Sequence, residues 1–283
     1  MLVVATIKEL QNALYKHRQA NKKIAVVPTM GNLHEGHLAL VKTAQQHADI
    51  VVVTLFVNPT QFGANEDLDS YPRTFQDDCD KLDALNTSIL FAPNIDEMYP
   101  LGGDQTTHVH VPNMTQVLCG ASRPGHFDGV TTIVSKLFNI TRADIAIFGE
   151  KDYQQLAVIR RMVNDLNIPI KIIGKPIVRE PDGLAMSSRN GYLSEKERRI
   201  APRLHQLLQT IKQEIIEGNH DLKSLESHAI TDLIEAGFKP DYLQIYQRNE
   251  LRPATENDKE IIILAAAFLG STRLIDNIYV NRS

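Results

Sequence analysis

The sequence predicts an α/β protein: a Rossmann-like parallel-sheet domain over residues 1–175, then a smaller α+β domain over residues 176–283. Three observations carry this expectation. The first two-thirds of the chain alternates strand-like apolar runs with stretches of helical period, as βα units around a parallel sheet do. Runs such as Ile50 to Val57 are continuously apolar, which fits strands covered on both faces. After Lys175 the texture changes to a loop flanked by glycines, two helical stretches and three strand-like segments.

Taken in order, Thr6 and Glu9 have the spacing of a capping box and open a helix with Ile7, Leu10 and Leu14 on one face. Strands are expected at Ile24 to Pro28, Ile50 to Phe56, Ile89 to Ala92, Val109 to Val111, Ile145 to Gly149 and Ile170 to Ile173. Helices are expected from about His34 to Ala48, Thr74 to Leu85, Gly129 to Thr141 and Tyr153 to Leu166. Beyond the loop from Glu180 to Gly191, Ser194 and Glu197 repeat the capping-box spacing, and a long helix should run to about Glu217. A helix near Leu222 to Ala236 and strands at Tyr242 to Tyr246, Ile261 to Phe268 and Thr272 to Tyr279 complete the second domain, which is expected to act as a lid.

Composition bounds the function. With 283 residues and 43% hydrophobic content the chain can bury a substantial core. Its 30 basic residues are outnumbered by 34 acidic ones, for a net charge of -4, so no broad basic surface is expected for nucleic acid or an anionic membrane. Any anion must be held by local geometry. The two cysteines, Cys79 and Cys119, form no CxxC pair, so neither a disulfide framework nor a zinc site is expected and a reducing, cytoplasmic setting fits. The amino-terminal apolar run is too short for a signal peptide, and no stretch approaches membrane-spanning length.

Three stretches carry chemistry. Pro28-Thr29-Met30-Gly31-Asn32-Leu33-His34-Glu35-Gly36-His37 lies where a buried strand meets a helix, a junction whose unpaired N–H groups and positive helix end favour phosphate. His34 and His37, three apart, share one face of that first turn. A zinc-protease motif would need the second histidine one residue later, so a pair of surface histidines is the stronger competing reading. Gly149-Glu150-Lys151-Asp152 follows a later strand, and in an open sheet ligands sit outside the carboxyl ends of strands. Met186-Ser187-Ser188-Arg189 lies in the glycine-flanked loop, where two hydroxyls and a guanidinium can fold onto a pyrophosphate. A lone lysine at a helix start or a Ser-Ser-Arg loop is more often simply solvated, so it is the combination that carries weight.

In combination these stretches are arranged as in the HIGH-type nucleotidyl-transferase superfamily, and the chain closely resembles the pantothenate synthetase family within it. The resemblance rests on PTMGNLHEGH at 28–37, FVNPTQFGANEDLDSYPRT at 56–74, RPGHFDGVTT at 123–132, FGEKDYQQ at 148–155 and MSSRN at 186–190. It covers the chain through about residue 205. It implies condensation of pantoate with β-alanine at the expense of ATP, through a pantoyl adenylate, giving pantothenate, AMP and pyrophosphate.

Position by position, the resemblance implies an ATP site formed by Met30, Gly31, Asn32, Leu33, His34, Glu35, Gly36 and His37, with Gly149, Glu150, Lys151, Asp152, Val178, Met186, Ser187, Ser188 and Arg189. His34, His37, Lys151, Ser187, Ser188 and Arg189 are the expected catalytic groups. Gln61 is expected to meet pantoate and β-alanine, and Gln155 to meet pantoate, since an amide offers both donors and acceptors to hydroxyls. Arg123 and His126 resemble residues at the edge of the same cleft. Asp78, rather than its neighbour Asp77, is the expected contact to a Mg²⁺ held mainly by phosphates; two solvated acids at a helix start are the equal alternative. Pro28, Phe62, Val130 and Ile133 are expected to pack the substrate's branched carbons. A homodimer is expected from the resemblance alone. An adenylyl- or cytidylyltransferase of the same superfamily, a relative of the aminoacyl-tRNA synthetases and a non-catalytic nucleotide sensor are the other classes consistent with the motifs. The acidic balance argues against tRNA.

Overall fold

The computed structural model describes residues 1–63, 66 and 68–282, apart from the side chain of residue 104. Residues 64, 65 and 67 of the 56–74 motif therefore lie outside the described residues. The strands are β1 (Leu2–Val4), β2 (Ile24–Thr29), β3 (Ile50–Leu55), β4 (Ile89–Phe91), β5 (Ile145–Gly149), β6 (Lys171–Lys175), β7 (Lys239–Gln247), β8 (Glu260–Leu269) and β9 (Thr272–Asn281). The helices are α1 (Ile7–Gln19), α2 (Glu35–His47), α3 (Phe75–Ala84), α4 (Ile95–Met98), α5 (Cys119–Ser122), α6 (His126–Thr141), α7 (Tyr153–Asp165), α8 (Glu195–Ile200), α9 (Arg203–Ile216) and α10 (Leu222–Glu235).

Two compact units result: Met1–Glu150 with Val158–Pro176, and Lys151–Ala157 with Ile177–Ser283. The segment 151–157, expected to continue the first domain, thus groups with the second. In the first unit six parallel strands run in the order β1-β4-β3-β2-β5-β6. The continuous apolar runs of β2 to β5 are explained by burial on both faces: Val27, Val53, Leu90 and Ile147 are all fully buried and pack with Leu38, Val41 and Ala44 of α2. The order reverses between β2 and β5, whose residues Ala25 and Val26 pair with Ile145 and Ala146. In an open α/β sheet that reversal is where a crevice opens at the carboxyl ends of the strands.

The second unit is a three-stranded antiparallel meander in the order β7-β8-β9, with α9 and α10 packed on it through Leu208, Ile211, Ile215, Leu225 and Leu233 against Ile261, Ile263 and Ala265.

The structure departs from the expected elements at three places. The expected helix from 194 to 217 is two helices, α8 and α9, because Pro202 has no N–H to continue the first and instead caps the second. Val109 to Val111 is not a strand. Val109 N–H donates to Thr132 Oγ1 (3.0 Å), and its carbonyl accepts from the Thr131 hydroxyl, so α6 satisfies a backbone that would otherwise have needed a neighbouring strand. The sixth strand of the sheet is β1, whose Leu2 to Val4 pair in parallel with Ile89 to Phe91.

Leu90 is completely buried, whereas Leu101 is 70% exposed. Leu90→Ala is expected to lower unfolding free energy by about 2–5 kcal/mol and Leu101→Ala by no more than about 0.5 kcal/mol, read from urea midpoints. Equal midpoints for the two variants would contradict the placement of β4 in the core.

Candidate active site

The turn after β2 is shaped by a buried carboxylate. Gly31 has φ +88° and Asn32 φ +51°, left-handed conformations that leave consecutive N–H groups pointing one way. Asp78, on the first turn of α3 and fully buried, receives them: Asn32 N–H donates to Oδ2 (2.9 Å) and Leu33 N–H to Oδ1 (2.7 Å). The Thr74 hydroxyl adds a third bond to Oδ2 (3.2 Å). A Cβ on Gly31 would stand 3.2 Å from Asp78 Oδ2 and 3.3 Å from Leu55 Cδ2, so the close approach needs glycine as much as the positive φ does. Lys81 closes the arrangement from α3, donating to the Leu33 carbonyl (2.7 Å) and to Asp77 (2.6 Å). A carboxylate taken from water is tolerable when its lone pairs are met in this way. Asp78, expected to contact Mg²⁺, thus has both oxygens bonded to the turn.

The two histidines form the amino-terminal cap of α2. His34 is the cap residue, and its Nδ1 accepts from Gly36 N–H (3.1 Å). His37 Nδ1 reaches back to His34 N–H (3.4 Å), completing a capping box built from imidazoles. Their ring centroids are 4.1 Å apart. A ring nitrogen that accepts a backbone N–H is unprotonated, so the proton of each neutral ring sits on Nε2 as a donor. The cap therefore sets the tautomer of both histidines. Met30, Gly36 and both histidines are partly exposed, and Glu35 is exposed on the first helical turn, where its charge suits the helix end.

The neighbouring turn follows β5. Gly149 ends that strand beside β2, and Glu150 lies with its carboxylate over Gly174 of β6, 2.7 Å from where a Cβ there would be. The two turns expected to meet phosphate thus follow adjacent strands across the reversal in strand order.

Gln61 sits in a buried polar network on the 3-10 turn Pro59–Gln61. Asn58 Nδ2 donates to Gln61 Oε1 (3.0 Å) and to the Gly129 carbonyl (3.2 Å), and Asn58 Oδ1 accepts from Tyr99 Oη (2.8 Å) and Thr60 Oγ1 (3.1 Å). With Oε1 engaged, the Gln61 amide presents its Nε2 as a donor. A Cβ at Gly129 would stand 2.2 Å from the Thr60 carbonyl, so only glycine lets α6 approach this turn. His126 Nδ1 lies 2.7 Å from the Gln61 carbonyl, and Arg123 NH1 is 3.0 Å from His126 Nε2, a pairing that requires the proton on Nδ1. Arg123 also grips Glu66 through Nε (2.6 Å) and NH2 (2.5 Å). Burial pushes the Glu66 carboxyl up, but the hydrogen bond and charge of Arg123 outweigh it and hold the group below its usual range. Sequence reasoning does not single out Asn58, Thr60 and Tyr99; Asn58 and Thr60 stand inside the NPTQF stretch, whereas Tyr99 carries no local signal.

Lys151, Asp152, Gln155, Val178, Met186, Ser187, Ser188 and Arg189 fall in the second unit. There Lys151 and Ser187 line one pocket, with Asn190, His205 and Asp276 among its other walls. Residues 178 to 186 form a narrow hairpin: Met186 N–H donates to the Val178 carbonyl (3.0 Å), and Arg179 bridges Ala185. Ser187 caps the 3-10 turn Ser188–Tyr192 by accepting from Arg189 N–H (3.3 Å). Gln155 is half-buried on the first turn of α7. Among the described residues no group of three or more His, Cys, Asp or Glu is placed to hold a metal, and no helix is long and apolar enough to cross a membrane.

Comparison with known proteins points one way. The family model described as "Pantoate-beta-alanine ligase" matches residues 2–279. Pantothenate synthetase of Pseudomonas putida (strain KT2440) is 55% identical over 281 residues, covering 99% of this chain and 98% of its own. Its counterpart from Pseudomonas savastanoi pv. phaseolicola is 55% identical over 283 residues and 100% of both chains. Among solved structures, pantothenate synthetase from Thermus thermophilus superposes with a TM-score of 0.92 at 42% identity, covering 98% of this chain and 99% of that one. The Francisella tularensis pantoate-beta-alanine ligase, solved with beta-gamma ATP and beta-alanine, gives 0.79 at 35% identity over 98% and 97%.

Two outcomes follow from the geometry. Asp78→Asn turns an N–H₂ towards a backbone N–H and should cost about 1–3 kcal/mol of stability, whereas Asp77→Asn, which breaks an exposed pair, should cost at most about 0.5 kcal/mol. Thermal melts of the two variants check this; equal melting points would contradict the role given to Asp78. Because the folded-state pKa of Glu66 is depressed, its contribution is fully present above its unfolded value and is lost as pH falls through the depressed one. Glu66→Gln should therefore be destabilised relative to the parent at neutral pH and converge with it in acid; a constant gap across pH would contradict the pairing with Arg123.

Proposed function

The chain belongs to the pantoate-beta-alanine ligase family, and from that premise we propose how its residues carry out the ATP-dependent ligation of pantoate and β-alanine. The observation that carries the reading is the imidazole capping box at the carboxyl end of β2, beside the turn that follows β5. In the first half-reaction a carboxylate oxygen of pantoate attacks the α-phosphorus of ATP, the bond to the bridging oxygen breaks, and pyrophosphate leaves. In the second, the amine of β-alanine attacks the acyl carbon, the C–O bond to AMP breaks, and the nitrogen loses a proton as pantothenate forms.

Charge spreads over phosphoryl oxygens in the first step, so preorganised donors are what that step needs. Nε2–H of His34 and His37 supply them, and because the cap sets both tautomers, neither histidine has to transfer a proton. Lys151 neutralises phosphate charge as a point charge, and Ser187, Ser188 and Arg189 bind the leaving pyrophosphate. Backbone groups from Met30 to Gly36 and from Gly149 to Asp152, together with Val178 and Met186, hold the rest of the nucleotide. Gln61 Nε2, aimed by Asn58, donates to a pantoate oxygen, and Gln155 assists at the same substrate.

Asp78 does not suit Mg²⁺ as a direct ligand, since both its oxygens already accept from the turn and the group is fully buried. The reading therefore has Mg²⁺ enter with the nucleotide's phosphates, where it would offset their charge. A cytoplasmic homodimer completes the proposal. The two free cysteines fit a reducing compartment, and the dimer rests on the family alone.

Pantoate-dependent exchange of labelled pyrophosphate into ATP tests the first half-reaction, and release of AMP with pantothenate on adding β-alanine tests the second. His37→Ala and Lys151→Ala should each lower exchange by about 10²- to 10³-fold. Undiminished exchange in either variant removes that residue from the mechanism, and a stable nucleotide conjugate in place of the amide would indicate a nucleotidyltransferase.

A further inference from the structure

Two buried polar residues stand side by side on β9, Asp276 and Asn277, 4% and 3% exposed. Asp276 Oδ1 accepts from Arg179 NH2 (2.8 Å) and from Asn277 N–H (2.7 Å). Its Oδ2 accepts from Arg179 NH1 (2.7 Å) and lies 3.4 Å from His205 Nδ1. Burial alone would raise this carboxyl, but His205 and Arg179 outweigh it and keep the group ionised. Arg179 NH1 also donates to the Gly183 carbonyl (3.0 Å), so the guanidinium clamps both strands of the 178–186 hairpin. Meanwhile Asn277 Nδ2 donates to the Lys151 carbonyl (3.0 Å). One dipeptide of a well-paired strand thus holds the root of the Ser187 to Arg189 flap and the turn that carries Lys151. Asp276, Lys151 and Ser187 line the same pocket.

We propose that Asp276 and Asn277 are positioning residues for the first half-reaction, fixing Lys151 and the base of the serine-arginine flap to β9 so that amine, hydroxyl and guanidinium meet the triphosphate already ordered. The inference rests on the reading that Lys151 and Ser187 to Arg189 contact the phosphates of ATP. With both Asp276 oxygens engaged by Arg179 and Asn277, the role assigned is positioning rather than contact with substrate. Their effect is conformational: fixing the backbone that carries Lys151 and the flap narrows the positions open to their side chains on binding, and a misplacement of about 1 Å at the reacting groups costs on the order of 10²-fold in rate. The arrangement is selective between steps, because attack of β-alanine on a preformed adenylate involves no triphosphate.

Asp276→Asn keeps the shape but weakens the fork with Arg179, Arg179→Lys removes the fork from the other side, and Asn277→Ala deletes the bond to the Lys151 carbonyl. Each would be assayed for pantoate-dependent pyrophosphate exchange and, separately, for conversion of supplied pantoyl adenylate and β-alanine to pantothenate. Exchange is expected to fall on the order of 10²-fold in Asp276→Asn and by a smaller factor in Asn277→Ala, with a raised KM for ATP, while adenylate conversion stays near the parent rate. Equal losses in both half-reactions would show a merely structural role, and unaltered exchange in folded variants would overturn the proposal. Should Asp276→Asn fail to fold, Asn277→Ala, which leaves the ion pair intact, decides the matter. Lys151→Ala run in parallel separates the two failures. If it loses exchange while the β9 variants do not, only the positioning role falls; if it retains exchange, the underlying reading falls.

Discussion

A single buried carboxylate organises the turn at the carboxyl end of β2. Asp78 accepts two successive backbone N–H groups from the turn after β2, the partly buried one of Asn32 and the buried one of Leu33, and without it both donors would lose this partner. Everything downstream depends on that turn. The positive φ angles at Gly31 and Asn32 are held by it, and they set the direction in which the chain enters α2, hence where His34 and His37 stand. A charge-assisted pair of bonds is short and directional, which suits a site that must keep its donors within a fraction of an ångström. The same carboxylate is thereby committed to architecture.

The same logic, a polar residue held by a partner so that its other end is aimed, recurs within each unit. The imidazoles use Nδ1 for the cap, which leaves Nε2–H as their donor, and Gln61 uses Oε1 for Asn58 and keeps Nε2. Arg179 is held by Asp276 at one end of the flap. Such preorganisation lowers the cost of arranging donors at the moment charge develops. On the proposed reading, the amides, hydroxyls and histidines of the motifs serve as aimed donors more than as proton carriers.

Much of this is legible in the sequence because it is local. The strand-turn-helix at 24–37 shows itself as an apolar run, a Gly-containing turn and two histidines three apart, and the Thr6 and Ser194 capping boxes are written in four residues each. What escapes depends on distant partners. Asp78 reads as a metal contact or a solvated acid at a helix start, not as the anchor of a turn, because the amides it serves lie 45 and 46 positions upstream. Asp276 meets an arginine 97 positions away, so the carboxyl-terminal strands read as chemically blank. β1 is three residues long with Leu2 and Val3 about half exposed, and it becomes a strand only because β4 offers an edge. Val109 to Val111 has the apolar character of a strand, but threonines on α6 take its hydrogen bonds.

A crystal structure of the protein soaked with ATP and pantoate tests the central claim most directly. The account predicts an α-phosphate oxygen within hydrogen-bonding distance of Nε2 of His34 or His37, with Asp78 still bonded to the amides of Asn32 and Leu33 and the metal bound by phosphates. A nucleotide seated away from the histidine cap, or an Asp78 carboxylate turned onto the metal with the 31–33 turn released, would contradict it.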